Sequence, residues 1–238
     1  MAKFALALAV SVFGVGVALA RGLDDAGAAM IAAQHGDYEQ AIRLLTSALT
    51  AGDLSPQNTM LAYHNRGNAY QDKGDYVHAI ADYDAAIKIR PGYANAWYAR
   101  GRAQFAQGLF PAAATDFVKS ASLDPKDAYA MIWLHLARRR TAANDGGELA
   151  RNAMKIDLAR WPGAVINLYL GTSTPAQTRA AATKGDAEQM CEAAFYLGEY
   201  ELLRKNTAAA RTLFQEAAKI CSPTTDEVDG AAVELKRL

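Results

Sequence analysis

Residues 63–91 read YHNRGNAYQDKGDYVHAIADYDAAIKIRP, and residues 97–125 read WYARGRAQFAQGLFPAAATDFVKSASLDP. A shift of 34 residues lays Tyr63 on Trp97, Arg66 on Arg100, Gly67 on Gly101 and Gly74 on Gly108. It also lays Tyr76 on Phe110, Ala79 on Ala113, Tyr83 on Phe117, Ile89 on Leu123 and Pro91 on Pro125. A period of this length marks stacked helix pairs, none of which buries its apolar face alone. Gly67 and Gly101, opposite Ala79 and Ala113, predict two helix axes in close approach. Tyr83 and Phe117 are the large side chains expected to fill the space between neighbouring pairs. Gly74-Asp75-Tyr76 predicts the tight turn inside a pair, because glycine takes a positive φ without strain. Pro91 and Pro125 end the second helices, since proline cannot continue one.

The pattern of aromatic, glycine, alanine, aromatic and proline on a 34-residue stride resembles the tetratricopeptide repeat (TPR). Two further copies follow with altered spacing. Gly36-Asp37-Tyr38, Ala41, Leu45 and Ala48 stand 38 residues before Gly74-Asp75-Tyr76, Ala79, Tyr83 and Ala86. Gly198, Ala210, Phe214, Ala217 and Ile220 stand 97 residues after Gly101, Ala113, Phe117, Ser120 and Leu123. The fold expected is therefore all-α, a TPR helical-hairpin solenoid. Its repeats should cover about 22–58, 60–93 and 94–127 within an N-terminal region of 21–140. A degenerate helical segment is expected over 128–190, then a late repeat and closing cap helix over 191–238. In the degenerate part, helices are expected at 128–140, 147–158, 162–170 and 175–183, with Thr174 capping the last. The final helix should run from Thr225 to Leu238.

Residues 1–20 stand apart. Lys3 precedes an apolar run from Phe4 to Val17, and Ala18-Leu19-Ala20 offers a small-residue cleavage site before Arg21. This is the layout of a secretory signal peptide, which places the mature chain, beginning near Arg21, outside the cytoplasm with no membrane insertion after cleavage. The alternative is an uncleaved anchor through residues 4–20, since the run approaches a bilayer-spanning length.

Basic and acidic residues balance at 25 each, so there is no basic excess of the kind nucleic-acid binders carry, and no nucleic-acid partner is expected. The histidines His35, His64, His78 and His135 form no close-spaced pair, and neither a metal nor a cofactor is expected. No Gly-x-Ser-x-Gly, phosphate loop or dinucleotide fingerprint occurs, so the chain does not read as an enzyme. Cys191 and Cys221 fall at the start of the first and the end of the second helix of the late repeat. Antiparallel helices make those ends neighbours, and an even cysteine count in an exported chain favours a disulfide over two buried thiols.

First helices of successive repeats line the inner side of such a stack. Helical spacing puts His64, Asn65 and Asn68 there with Asn95, Tyr98 and Arg102, followed by Tyr129 and Trp133. Asparagines can hold an extended peptide backbone, while aromatics and arginine are common interface anchors. The competing reading makes Tyr129 and Trp133 packing residues and the asparagines merely solvated. A carboxylate clamp of lysines and asparagines is not expected, because Ala99 and Trp133 stand where polar groups would be needed. Arg138-Arg139-Arg140 reads as a favourable charge at a helix C-terminus, with an acidic partner as the alternative.

Leu168-Tyr169-Leu170-Gly171, Trp133-Leu134-His135-Leu136-Ala137 and Ala194-Phe195-Tyr196-Leu197-Gly198-Glu199-Tyr200, in their order around the repeats, resemble the NlpI-type bacterial TPR lipoproteins. That resemblance covers about residues 30–235. It implies a periplasmic, homodimeric adaptor for peptidoglycan hydrolases and a tail-specific protease. The acylated cysteine of that family is missing after the export segment, so lipid anchoring does not carry over. A second function class also fits the sequence: a structural part of an envelope or secretion assembly, tethered by an uncleaved N-terminal helix.

Overall fold

Helix starts in this chain are written by its short polar residues. The side chains of Asp37, Ser55, Asp75, Asp127, Thr174, Asp186 and Asn206 each accept a hydrogen bond from a backbone N–H of the turn that follows. Such a cap is worth about 1 kcal/mol, because a helix N-terminus otherwise leaves its first N–H groups without partners. Thr174 forms a full capping box with Gln177, and Pro175 occupies the first turn, where no N–H is needed.

The computed structural model describes residues 21–141, 145, 147–222 and 225–238, without the side chain of Asp226. The export segment expected at 1–20 lies outside the described residues, as do most of the turn at 142–146 and residues 223–224. Every regular element among the described residues is an α-helix. Residues 21–34 are helical (α1). They are followed by α2 (Tyr38–Ala51), α3 (Pro56–Asp72), α4 (Tyr76–Ile89), α5 (Ala94–Ala106) and α6 (Phe110–Leu123). Next come α7 (Ala128–Arg140), α8 (Glu148–Ala153), α9 (Gly163–Tyr169) and α10 (Pro175–Ala182). The chain closes with α11 (Ala187–Leu203), α12 (Thr207–Ile220) and α13 (Asp226–Arg237). This is an all-α helical-hairpin repeat fold. The chain divides into two compact units, one ending at Ala96 and one spanning Trp97–Leu238.

One packing device recurs in both units. A Cβ on Gly67 would stand 2.7 Å from the Tyr83 ring, one on Gly101 2.9 Å from Phe117, and one on Gly198 2.6 Å from Phe214. All three rings are fully buried. The aromatics therefore sit directly on the glycine of their own helix pair, which corrects the expectation that they chiefly fill the space between pairs. Phe117 does also meet the following helix, stacking on Trp133 at 6.1 Å. In the first pair Ala29 and Leu45 hold the corresponding positions, both buried, so a smaller apolar residue answers a slightly larger small one.

A second recurring device is polar. Arg66 grips Asp82 through two hydrogen bonds of 2.8 and 2.7 Å, and Arg100 grips Asp116 through two of 2.7 Å. Each guanidinium also lies over the aromatic three residues before it, Tyr63 at 5.6 Å and Trp97 at 4.8 Å. The forked guanidinium matches the carboxylate plane, so the clip fixes the rotation of one helix against its partner.

The turn inside each pair repeats as well. Gly36, Gly74 and Gly108 take φ of 76°, 77° and 79°, but the late repeat has Lys205 there at φ 64°. Left-handed backbone costs a residue with a Cβ roughly 1–2 kcal/mol. Lys205→Gly is therefore expected to raise the stability of the oxidised chain by about 0.5–1 kcal/mol, read as a higher urea midpoint. A lower midpoint would show that the lysine side chain compensates for its backbone.

The degenerate segment departs most from expectation. The helix expected over 147–158 is only α8, six residues long. Beyond it Asp157 accepts from the backbone N–H of Ala159, and Arg160 N–H bonds the Asp157 carbonyl, so local turn bonds replace helical ones. The chain then returns closely on itself, with the Leu158 carbonyl where a Cβ on residue 163 would stand, a site only glycine can fill. The late repeat's first helix begins at Ala187 rather than 191, because Asp186 caps it. Cys191 and Cys221 are joined as a disulfide between α11 and the end of α12.

Candidate binding surface

In the first unit the residues of interest lie on α3 and the start of α5. His64 is wedged between the rings of Tyr83 and Tyr93, at 5.8 and 5.2 Å. Its ring is hydrogen-bonded by the backbone of Asn95, and its Nδ1 lies 3.4 Å from the Asn65 side-chain oxygen. Burial is the main influence on the imidazole and lowers its pKa, so it is neutral near pH 7. His64 thus packs Tyr93 and Asn95, at the start of α5, against α3. Asn68 accepts from the Tyr83 hydroxyl at 2.8 Å, which fixes its amide. Asn65 is half-buried and Asn95 exposed. Together these give a short polar row whose positions are set by the packing beneath it.

In the second unit the four named residues have different fates. Tyr98 is half-buried, its ring edge-on to Phe117 at 5.9 Å. Arg102 is buried, its guanidinium 5.5 Å from the Trp133 ring and 6.0 Å from that of Tyr98. Trp133 is only 2% exposed and sits among Phe105, Phe117, Phe195 and Tyr196. Placing Trp133 and Arg102 on an open ligand face is therefore corrected: both belong to the interior, drawn in by an aromatic cluster that the inward spacing of α7 builds. The Tyr129 hydroxyl donates to Glu192 at 2.9 Å, and burial followed by that carboxylate pushes its pKa up.

Glu192 was not visible in the sequence as a structural residue. It is buried, accepts from Tyr129 and from Trp161 Nε1 at 2.8 Å, and so ties α7, the 154–162 turns and α11 together. Burial raises its pKa, offset in part by these two donors. No sequence signal marks it, since its partners lie 63 and 31 residues away. The basic run also divides. Arg138 meets Glu148 at 3.4 Å, Arg139 is exposed, and Arg140 lies between Glu199 and Glu234 at 2.8 and 2.9 Å. All three stand in the last turn of α7, where a helix-dipole reading puts them, and Arg140 is in addition held by two buried carboxylates. Among the described residues no group of three His, Cys, Asp or Glu could hold a metal ion, and no helix is long and apolar enough to cross a membrane.

A model of the TPR repeat matches residues 67–108, from the middle of α3 to the turn after α5. Among solved structures, the chain is similar to a tetratricopeptide repeat protein from Parabacteroides merdae, at 18% identity over 90% of this chain and 83% of that one, with a TM-score of 0.53. It is similar also to MamA (41 to end) from Desulfovibrio magneticus RS-1, at 16% identity over 84% and 94%, with a TM-score of 0.51. At such identities the likeness is one of fold. The fold and the matched segment agree on its class: stacked TPR-type helical hairpins.

Proposed function

We propose that this chain is a non-enzymatic, protein-binding adaptor of the periplasm that brings peptidoglycan hydrolases and a tail-specific protease together as a homodimer. The observation that carries the binding role is the polar row of Asn65, Asn68 and Asn95, the last two inside the segment that matches the TPR repeat and the first just before it. TPR hairpins offer such rows to extended peptide segments, and side-chain amides can pair with a peptide backbone in both directions. The choice of partners and the dimer rest on the resemblance of Leu168-Tyr169-Leu170-Gly171 and Ala194–Tyr200 to NlpI-type proteins. Export rests on Lys3, the apolar run and Ala18-Leu19-Ala20.

The test is co-purification from the native envelope, with the chain compared to its Asn65→Ala, Asn95→Ala double variant. Wild-type chain is expected to retain a hydrolase and the protease together, and the variant to hold them about tenfold more weakly at an unchanged melting temperature. The same preparation should have the mass of residues 21–238 and scatter light as a dimer. Equal retention by both chains would remove the row from the binding role. Retention of residues 1–20 in the mass would favour a tethered component instead.

A further inference from the structure

Helices α7, α8, α9 and α11 of the second unit border an open cavity of about 360 Å³, separate from the polar row on α3. Its walls carry Arg139, Arg204, Tyr169, Tyr200, His135 and Asp145. That volume is at the lower end of the range for small-ligand sites, roughly 300–1,000 Å³. Tyr169 and Tyr200 stand 6.2 Å apart, and the Tyr169 hydroxyl donates to the Tyr196 carbonyl at 2.8 Å, so Tyr169 offers the cavity mainly its ring.

The charges of the lining are unequal. Arg138 and Arg140 are spent on Glu148 and on Glu199 with Glu234, but Arg139 between them forms no ion pair among the described residues. Arg204, at the end of α11, lies over the Tyr200 ring at 5.5 Å and likewise has no carboxylate partner among them. Among the described residues Asp145 is the only carboxylate in the lining, and His135 Nδ1 is hydrogen-bonded to it. Two guanidiniums against one engaged carboxylate leave one positive charge uncompensated beside two rings. Such a site suits a single negative charge; a dianion would meet Asp145 as well.

We infer that this cavity binds a monocarboxylate carried on a short apolar or aromatic body, with Arg139 and Arg204 holding the carboxylate and Tyr200 the body. Two sources share that chemistry, a peptide chain end and a free organic acid. Both arginines are exposed, so their replacement leaves the interior unchanged.

The probes are N-acetyl-Ala-Leu with a free carboxylate, the same dipeptide as its amide, benzoate, and inorganic phosphate. Each is titrated into the full mature chain and followed by NMR. The free-acid dipeptide is expected to shift signals of the lining residues, and its amide to bind at least about tenfold more weakly. Arg139→Gln with Arg204→Gln should weaken the acid about a hundredfold at an unchanged melting temperature. Benzoate binding as well as the dipeptide acid assigns the site to free acids too; benzoate failing where the dipeptide binds assigns it to chain ends. Acid and amide binding alike, the double variant binding as wild type, phosphate binding as tightly as the carboxylates, or no shift by either acid at millimolar concentration would overturn the inference.

Discussion

Asp116→Leu is expected to destabilise the chain by about 3–5 kcal/mol, whereas Arg100→Leu combined with Asp116→Leu should cost no more than about 1.5 kcal/mol. The Asp116 side chain is 3% exposed and that of Asp82 8%, against 18% for each arginine, so the acid end of each clip is taken out of water while the guanidinium keeps some access to it. Removing the acid alone takes from the half-buried guanidinium of Arg100 the carboxylate that holds it through two hydrogen bonds. Removing both ends restores neutrality and leaves aliphatic side chains of comparable size. The chain supplies its own precedent. At the offset that carries Gly101 to Gly198 and Phe117 to Phe214, Arg100 falls on Leu197 and Asp116 on Leu213. Leu197 is buried and Leu213 half-buried beside a glycine-on-phenylalanine contact like those of the clipped pairs. The same helix pairing is thus built with charge in two pairs and without it in the late one. The readout is urea unfolding with the Cys191–Cys221 bond kept oxidised. A double variant as unstable as Asp116→Leu would mean that the clip supplies net stability and not orientation. The contact of Arg100 with Trp97 is lost from the double variant alone, which sets the modest residual cost at about 0.5–1 kcal/mol.

The two clips mark the limit of what a repeat pattern conveys. The 34-residue stride marks α3 to α6 because glycine, alanine and aromatic recur at places where only their sizes fit. Asp82 and Asp116 repeat on the same stride as Arg66 and Arg100, so the clip was present in the sequence as two parallel rows. Nothing in one row says that it pairs with the other; the 16-residue reach across a hairpin has to be seen. The start of α11 lies four residues before the edge that repeat alignment gives, because alignment fixes the middle of a repeat, while the Asp186 cap fixes its edge. The degenerate segment was least legible. Its shape depends on Glu192 drawing Tyr129 and Trp161 inward, and such long-range hydrogen bonds leave no periodic trace. On the candidate surface, the α3 row was readable from helical spacing. Trp133 was misplaced because spacing gives a side chain's direction, and here that direction leads into a cluster of other aromatics.

The other large effect is expected at the end of α7. Arg140→Met should cost about 3–5 kcal/mol near pH 8, and distinctly less near pH 5. Arg140 lies between Glu199, which is fully buried, and Glu234, which is nearly so, with its guanidinium over the rings of Phe105 and Phe110 at 5.6 Å. Arg237 joins the group by pairing with Glu234 and donating to the Phe105 and Ala106 carbonyls at 2.8 and 2.7 Å, which fastens α13 to the end of α5. Burial outweighs the attraction of Arg140, and Glu234 adds to it, so the Glu199 carboxyl is pushed up to about 7 from its usual 4.5. Between those two values the folded chain keeps a proton that the unfolded chain releases. This contribution to stability is complete below about pH 4.5 and is lost as pH rises past about 7. Replacing Arg140 leaves Glu199 and Glu234 facing each other with Arg237 as the remaining cation, a cost that protonation relieves at low pH and not at high pH. Glu199→Gln provides the matching control: relative to wild type it should grow more stable between about pH 5 and about pH 8, because the amide has no proton to lose. Unfolding curves for the three chains at both pH values decide the matter. A parallel pH response in wild type and Glu199→Gln would show that the buried carboxyl is ionised throughout, and would leave Arg140 holding two full charges at every pH where the chain is folded.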